Sequence, residues 1–181
     1  MPDSQYDIEE WARKTTLGRR VFNYNYRMHG NELRGWELRK RTTMQNDEQV
    51  TEQAYVWERK QSDGQELVRI SIAELHHWRL ALNQMHVQLS QSMRPDIARA
   101  KGRAATGDVS FAANAPGSST VASLIFTRGN LFVSVASVGP REVDVRALAR
   151  NLDAAFRELP QRKSLKRPLQ TVRRTAVAAK A

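Results

Sequence analysis

At 181 residues the chain is long enough for one well-buried domain and short for two, and 40% hydrophobic with 27% charged residues is the composition of a folded globular protein, not a disordered one. There is no cysteine, which excludes a disulfide framework, a thiolate metal site and a cysteine nucleophile. The formal net charge is +10, but seven cations follow Pro160 with no acid among them, so the preceding body stands at about +3 and the basicity belongs largely to a tail.

The chain begins Met1-Pro-Asp-Ser-Gln-Tyr without the basic start and apolar run of a secretory signal, and no later stretch reaches the length of a membrane span, so a cytoplasmic location is expected. Asp7 to Leu17 reads as a short helix capped by Asp7, with Ile8 and Trp11 on one face and Gly18 at its end. From Val21 the period changes to two: Phe22, Tyr24, Tyr26 and Met28 alternate with polar residues. After a turn near Gly30 to Gly35, Trp36 and Leu38 alternate with Glu37, Arg39 and Arg41, which predicts a first hairpin.

Residues Gln45 to Val50 are polar and read as a loop. Gln53 to Arg59 and Glu66 to Ile70 are rich in strand formers and flank Asp63-Gly64, a strong turn signal, so a second hairpin is expected there. Ser71-Ile-Ala-Glu74 has the form of a capping box, and Leu75, Trp78, Leu82, Met85, Leu89 and Met93 then recur at helical spacing, predicting a helix of about five turns from Ser71 to Pro95. Arg94 to Thr106 lacks a clear period and reads as a connector, and Gly107 to Ala112 as a short strand.

The most strongly patterned stretch is Thr120 to Pro160. Two apolar strands meet at Gly129-Asn130, and Asp144 then caps an amphipathic helix with Val145, Leu148, Leu152, Ala155, Phe156 and Leu159 in its stripe and Pro160 at its stop. A shift of about 73 positions superimposes Ser71 on Asp144 and Leu75 on Leu148, so a hairpin-plus-helix unit used twice, over 36–93 and 107–160, is one reading of the pattern. The expected fold is therefore α+β: an antiparallel sheet of about six or seven strands with two long helices on one face, in a single domain over 1–160, followed by a basic, disordered tail over 161–181.

Catalytic and metal signatures are weak. His76, His77 and His86 diverge on the predicted helix and His29 sits beside a turn, so they do not converge on one ion, and no metal or cofactor is expected. Asp153 lies between Arg150 and Arg157 at three- and four-residue spacing, the pattern of exposed ion pairs. Neither a nucleophile elbow nor a glycine-rich phosphate loop is present. The aromatic and basic strands are more informative. If Tyr55, Trp57 and Arg59 shared an open face with Arg39 and Arg41, they would form a stacking platform for single-stranded nucleic acid; the competing reading places Tyr55 and Trp57 in the core. Arg162, Lys163, Lys166, Arg167, Arg173 and Arg174 of the tail are further candidate contacts for a polyanion.

The leading expectation is a non-catalytic binding or accessory protein acting through protein–protein contacts, with a homodimer among its forms. The alternatives are a nucleic-acid-binding protein that uses the tail and the Arg/aromatic strands, and a small enzyme or ligand-binding protein with a pocket between sheet and helices.

Overall fold

The computed structural model describes residues 6–15, 27–47, 50–62, 64–92 and 96–158. The tail and the alternating stretch from Val21 to Tyr26 lie outside the described residues, as does the end assigned to the first helix at Gly18. The described elements are α1 (Ile8–Lys14), β1 (Glu37–Asp47), β2 (Val50–Gln61), β3 (Gly64–Leu75), α2 (Trp78–Gln91), β4 (Ala98–Arg99), β5 (Val109–Asn114), β6 (Val121–Arg128), β7 (Leu131–Ser137) and α3 (Arg146–Glu158). The fold is α+β, with one seven-stranded antiparallel sheet in the order β1-β2-β3-β7-β6-β5-β4. None of the described helices is long and apolar enough to cross a membrane.

Both tight turns fall where their residues require them. Gln61 pairs with Gly64, next to the predicted Asp63-Gly64 signal, of which Asp63 lies outside the described residues, and Arg128 pairs with Leu131 across Gly129-Asn130. The second turn is anchored to the far strand: the Asn130 side-chain amide donates to the Leu75 carbonyl at 2.7 Å, and the Leu75 amide donates to the Asn130 carbonyl at 3.0 Å. The predicted caps of α1 and α3 are also present, with the Asp7 carboxylate accepting from the amides of Glu9 and Glu10 and that of Asp144 from the amide of Arg146.

Four expectations need correction. Among the described residues, 27–36 contain no strand, and β1 pairs with β2 rather than with a preceding hairpin partner. The stretch from Ser71 to Glu74 is strand, not helix cap. β3 runs on to Leu75 because it pairs along its length with β2 and β7, and α2 starts only at Trp78, capped by His77, whose Nδ1 accepts from the Arg79 amide at 3.2 Å. His76 and His77 therefore precede the helix that carries His86.

The predicted loop over Gln45 to Val50 is mostly strand as well, since β1 extends to Asp47 and β2 begins at Val50.

The fourth correction concerns the helices, which lie on opposite faces of the sheet. Ala81, Leu82, Met85 and Leu89 of α2 pack with Leu75, Phe111, Ile125 and Phe132, joined by Trp11 of α1. Leu148, Ala149, Leu152 and Phe156 of α3 pack with Leu124, Phe126, Val133 and Val135, a core that also takes Tyr55, Trp57, Ile70 and the Met28, Leu33 and Trp36 of the segment before β1. Neighbours along a strand point to opposite faces, so Ile125 beside Phe126 and Phe132 beside Val133 separate the two cores. Each meander of three strands is followed by a helix, as the repeat requires, but a rotation that maps β3 onto antiparallel β7 keeps the face unchanged. Helices on opposite faces cannot be related by it.

Candidate functional site

A concave surface lies on the α2 face, where the helix stops short of the sheet edge. A seven-stranded sheet is about 30 Å across and a helix about 10 Å wide; α2 covers β3, β7 and β6. No described helix covers this face of β1 and β2. Lys40, Thr42 and Arg69 are exposed there.

Register sets the floor of the trough. Ala54, Ser71 and Ser134 are successive lateral neighbours on β2, β3 and β7, and Val56, Arg69 and Ala136 form the adjoining row. The small side chains of Ser71, Ala73, Ser134 and Ala136 leave a groove of about 330 Å³ between the sheet and the side of α2. Gln84 and Gln88, one helical turn apart, form its helix wall, with Glu52 and Arg69 on the sheet side and the half-exposed Val138 at the rim. Arg69 has no hydrogen bond or ion pair within the described structure, so its guanidinium is available to an incoming carboxylate or carbonyl. The groove is polar and nearly neutral: Glu52 and Arg69 are the charged residues in its lining, and two serine hydroxyls and two carboxamides supply donors and acceptors.

The arginines and aromatics singled out in the sequence sit elsewhere and do different work. Tyr55 and Trp57 are 0% exposed, on the face opposite the groove, so neither ring is open to a base. The Tyr55 hydroxyl accepts from the Met28 amide at 3.1 Å and donates to the Gln53 carboxamide. Burial, opposed by that amide and by Arg41, raises the Tyr55 phenol above its ordinary value. A bulge between Leu38 and Lys40 puts Arg39 and Arg41 on opposite faces, against the expectation that they share one. Arg39 pairs with buried Glu58 at 2.7 Å, whereas Arg41 lies over the Tyr55 ring and donates to the Met28 carbonyl. Arg59 stacks 4.6 Å from the Trp36 ring centre and pairs with Glu66 at 2.6 Å. All three body arginines thus have partners within the chain, and the structure brings none of them to the groove. Arg162, Lys163, Lys166, Arg167, Arg173 and Arg174 lie outside the described residues.

Asp153 is also not the exposed pair its spacing suggests. It is buried and held by Arg128 from β6 as well as by Arg157. Among the described residues, no three histidines, aspartates or glutamates are grouped to hold a metal ion.

No family model, curated protein or solved structure matches this chain.

Proposed function

We propose that this is a binding or accessory protein that acts through protein–protein contacts, with a polypeptide segment of its partner lying in the groove beside α2. The observation that supports this most directly is the place of the groove: it lies between the side of α2 and β3 and β7, next to a part of the sheet that no described helix covers. An extended or helical segment needs a long seat with small floor residues, which Ser71, Ala73, Ser134 and Ala136 supply. Gln84, Gln88, Ser71 and Ser134 suit backbone amides and carbonyls, and Arg69 suits a carboxylate.

The test is site-specific photocrosslinking from Gln88 in cells, repeated with Ser134→Trp, which fills the floor from a position that need not disturb either core. A protein crosslinked at Gln88, lost in the Ser134→Trp variant and not captured when the crosslinker is moved to Lys60, supports the reading. Equal labelling with and without the tryptophan refutes it, and sedimentation of the purified chain shows whether the partner is a second copy.

A second reading has its own observation. Seven cations after Pro160 without an acid form a sequence suited to a polyanion, with affinity falling steeply as salt rises. Deleting residues 161–181 and titrating DNA and RNA against salt tests it, and unchanged binding removes the tail from the argument. Tyr55 and Trp57 take no part in this reading.

A further inference from the structure

A second cavity, of about 460 Å³, lies at the start of α3, lined by Arg103, Ala104, Thr106, Asp144, Arg146, Ala147 and Arg150. Arg146 and Arg150 are one turn apart on the helix, and Arg103 comes from the short 3-10 turn Gly102–Ala104, so two separate elements aim guanidiniums at one space. Asp144 is already engaged. It caps the helix through the Arg146 amide at 3.0 Å and holds the Arg146 guanidinium at 2.9 Å from Nε, and these contacts keep its carboxyl below the usual range. Arg103 and Arg150 form no ion pair within the described structure. Three guanidiniums against one carboxylate leave the cavity with a net charge of +2.

A polar group beneath the arginines sharpens the case. Thr106 is only 3% exposed and yet lines this cavity, and its hydroxyl makes no hydrogen bond within the described structure; its amide is taken by the Ser110 hydroxyl at 3.0 Å. The hydroxyl is thus free to donate to a group that enters the cavity.

We propose that this cavity binds the phosphoryl group of a small phosphate monoester, a dianion that matches the net charge of +2, with Arg103 and Arg150 as its ionic contacts and the Thr106 hydroxyl as a donor to a phosphoryl oxygen. The volume exceeds what bare phosphate fills and falls within the range of small-molecule sites, so the ester's organic part lies over Ala104 and Ala147.

Calorimetric titration of the full chain with phenyl phosphate, inorganic phosphate and phenol tests the proposal. Phenyl phosphate should bind most tightly, inorganic phosphate more weakly and phenol not at all. Arg103→Gln with Arg150→Gln should weaken phenyl phosphate by about tenfold or more, since each lost contact is a charge-assisted hydrogen bond. Both arginines are exposed, so the variant keeps its fold. Thr106→Val should weaken binding by about threefold to tenfold without changing the salt dependence. Lys40→Gln with Lys60→Gln removes the same charge at a distance and should leave affinity unchanged. Equal loss in that control would reduce the effect to net charge and overturn the proposal. So would binding unaffected by the arginine changes, or binding seen only to phosphatidic acid vesicles and not to phenyl phosphate.

Discussion

Arg128 on β6 and Asp153 on α3 meet through two parallel hydrogen bonds, Nε to Oδ1 at 2.6 Å and Nη2 to Oδ2 at 2.9 Å. The same guanidinium donates from Nη1 to Asp108 at 2.6 Å, and Asp108 in turn accepts from the Gly129 amide at 2.7 Å. One cation therefore ties α3, the β6–β7 turn and the start of β5 together while only 11% of it is exposed. Burial opposes the charged form of Arg128, but the Asp153 and Asp108 carboxylates outweigh it and raise the guanidinium above its ordinary value. Burial acts on Asp108 in the opposite sense, pushing its carboxyl up against the pull of Arg128 and the Gly129 amide.

Removing Arg128 takes the buried cation from two buried carboxylates, leaving Asp108 with the Gly129 amide and Asp153 with the exposed Arg157, whereas removing Arg157 leaves both with Arg128. Arg157 also reaches Asp153, at 2.7 Å, but is 64% exposed and leaves the Arg128 fork in place. Arg128→Ala should lower the unfolding free energy by about 3–5 kcal/mol, and Arg157→Ala by less than about 1 kcal/mol. Urea denaturation of the two variants measures the contrast; similar losses would mean that the buried pair is not the stabilising element.

Thr127 on β6 is 0% exposed and its Oγ1 has no hydrogen-bond partner. Thr127→Val keeps the shape and deletes the unsatisfied hydroxyl, so it should stabilise the fold by about 1 kcal/mol. A lower melting temperature for the valine variant would show that the hydroxyl has a partner in solution.

How much of this was legible in the sequence depends on how local the cause is. The Asp144 cap, the α3 stripe from Val145 to Phe156 and the turn at Gly129-Asn130 are fixed by residues a few positions apart, and each is found where the pattern places it. The opposite placement of α2 and α3 has a sequence trace that period-two reading overlooks: Leu131-Phe132-Val133 is apolar at consecutive positions, which a strand needs only when both faces are covered. Ser71 to Glu74 has the residues of a capping box, yet pairing with β7, some 60 residues on, keeps them in a strand. Asp153 has its local arginines, but Arg128 on another element draws it inward. The groove is built from β2, β3, β7 and α2, and no spacing within one segment could reveal it.

Glu10 on α1 pairs with Lys14 at 2.7 Å and with Arg99 on β4, and these two contacts, Lys14 first, hold its carboxyl down from 4.5 to about 2. A depressed folded-state value contributes stability that is complete above the unfolded value and lost as pH falls through the folded one. The wild-type advantage over Glu10→Gln should therefore be present at pH 7, decline below about pH 4.5 and disappear near pH 2. Its size should stay below about 1 kcal/mol because the pair is partly exposed. Thermal melts of both proteins across that range test it, and a gap that does not change with pH would rule out this ion pair as its source.

Gly107 and Gly35 have left-handed backbones, with φ of 70° and 79°, but their surroundings differ. A Cβ at Gly107 would lie 2.3 Å from the Thr127 carbonyl oxygen and 2.7 Å from the Phe126 ring, whereas one at Gly35 would meet nothing within 4 Å. That carbonyl accepts the Asp108 amide at 2.7 Å, so backbone movement to relieve the clash would loosen the strand whose first residues deliver Asp108 to Arg128. Gly35→Ala thus isolates the cost of the left-handed conformation, about 1–2 kcal/mol. Gly107→Ala adds the steric conflict and should lose about 3 kcal/mol or more. The Arg128→Ala background distinguishes the route of that extra loss. If the alanine acts by displacing Asp108, its effect should shrink once Arg128 is gone; if it acts by overpacking Phe126 alone, the two losses should add.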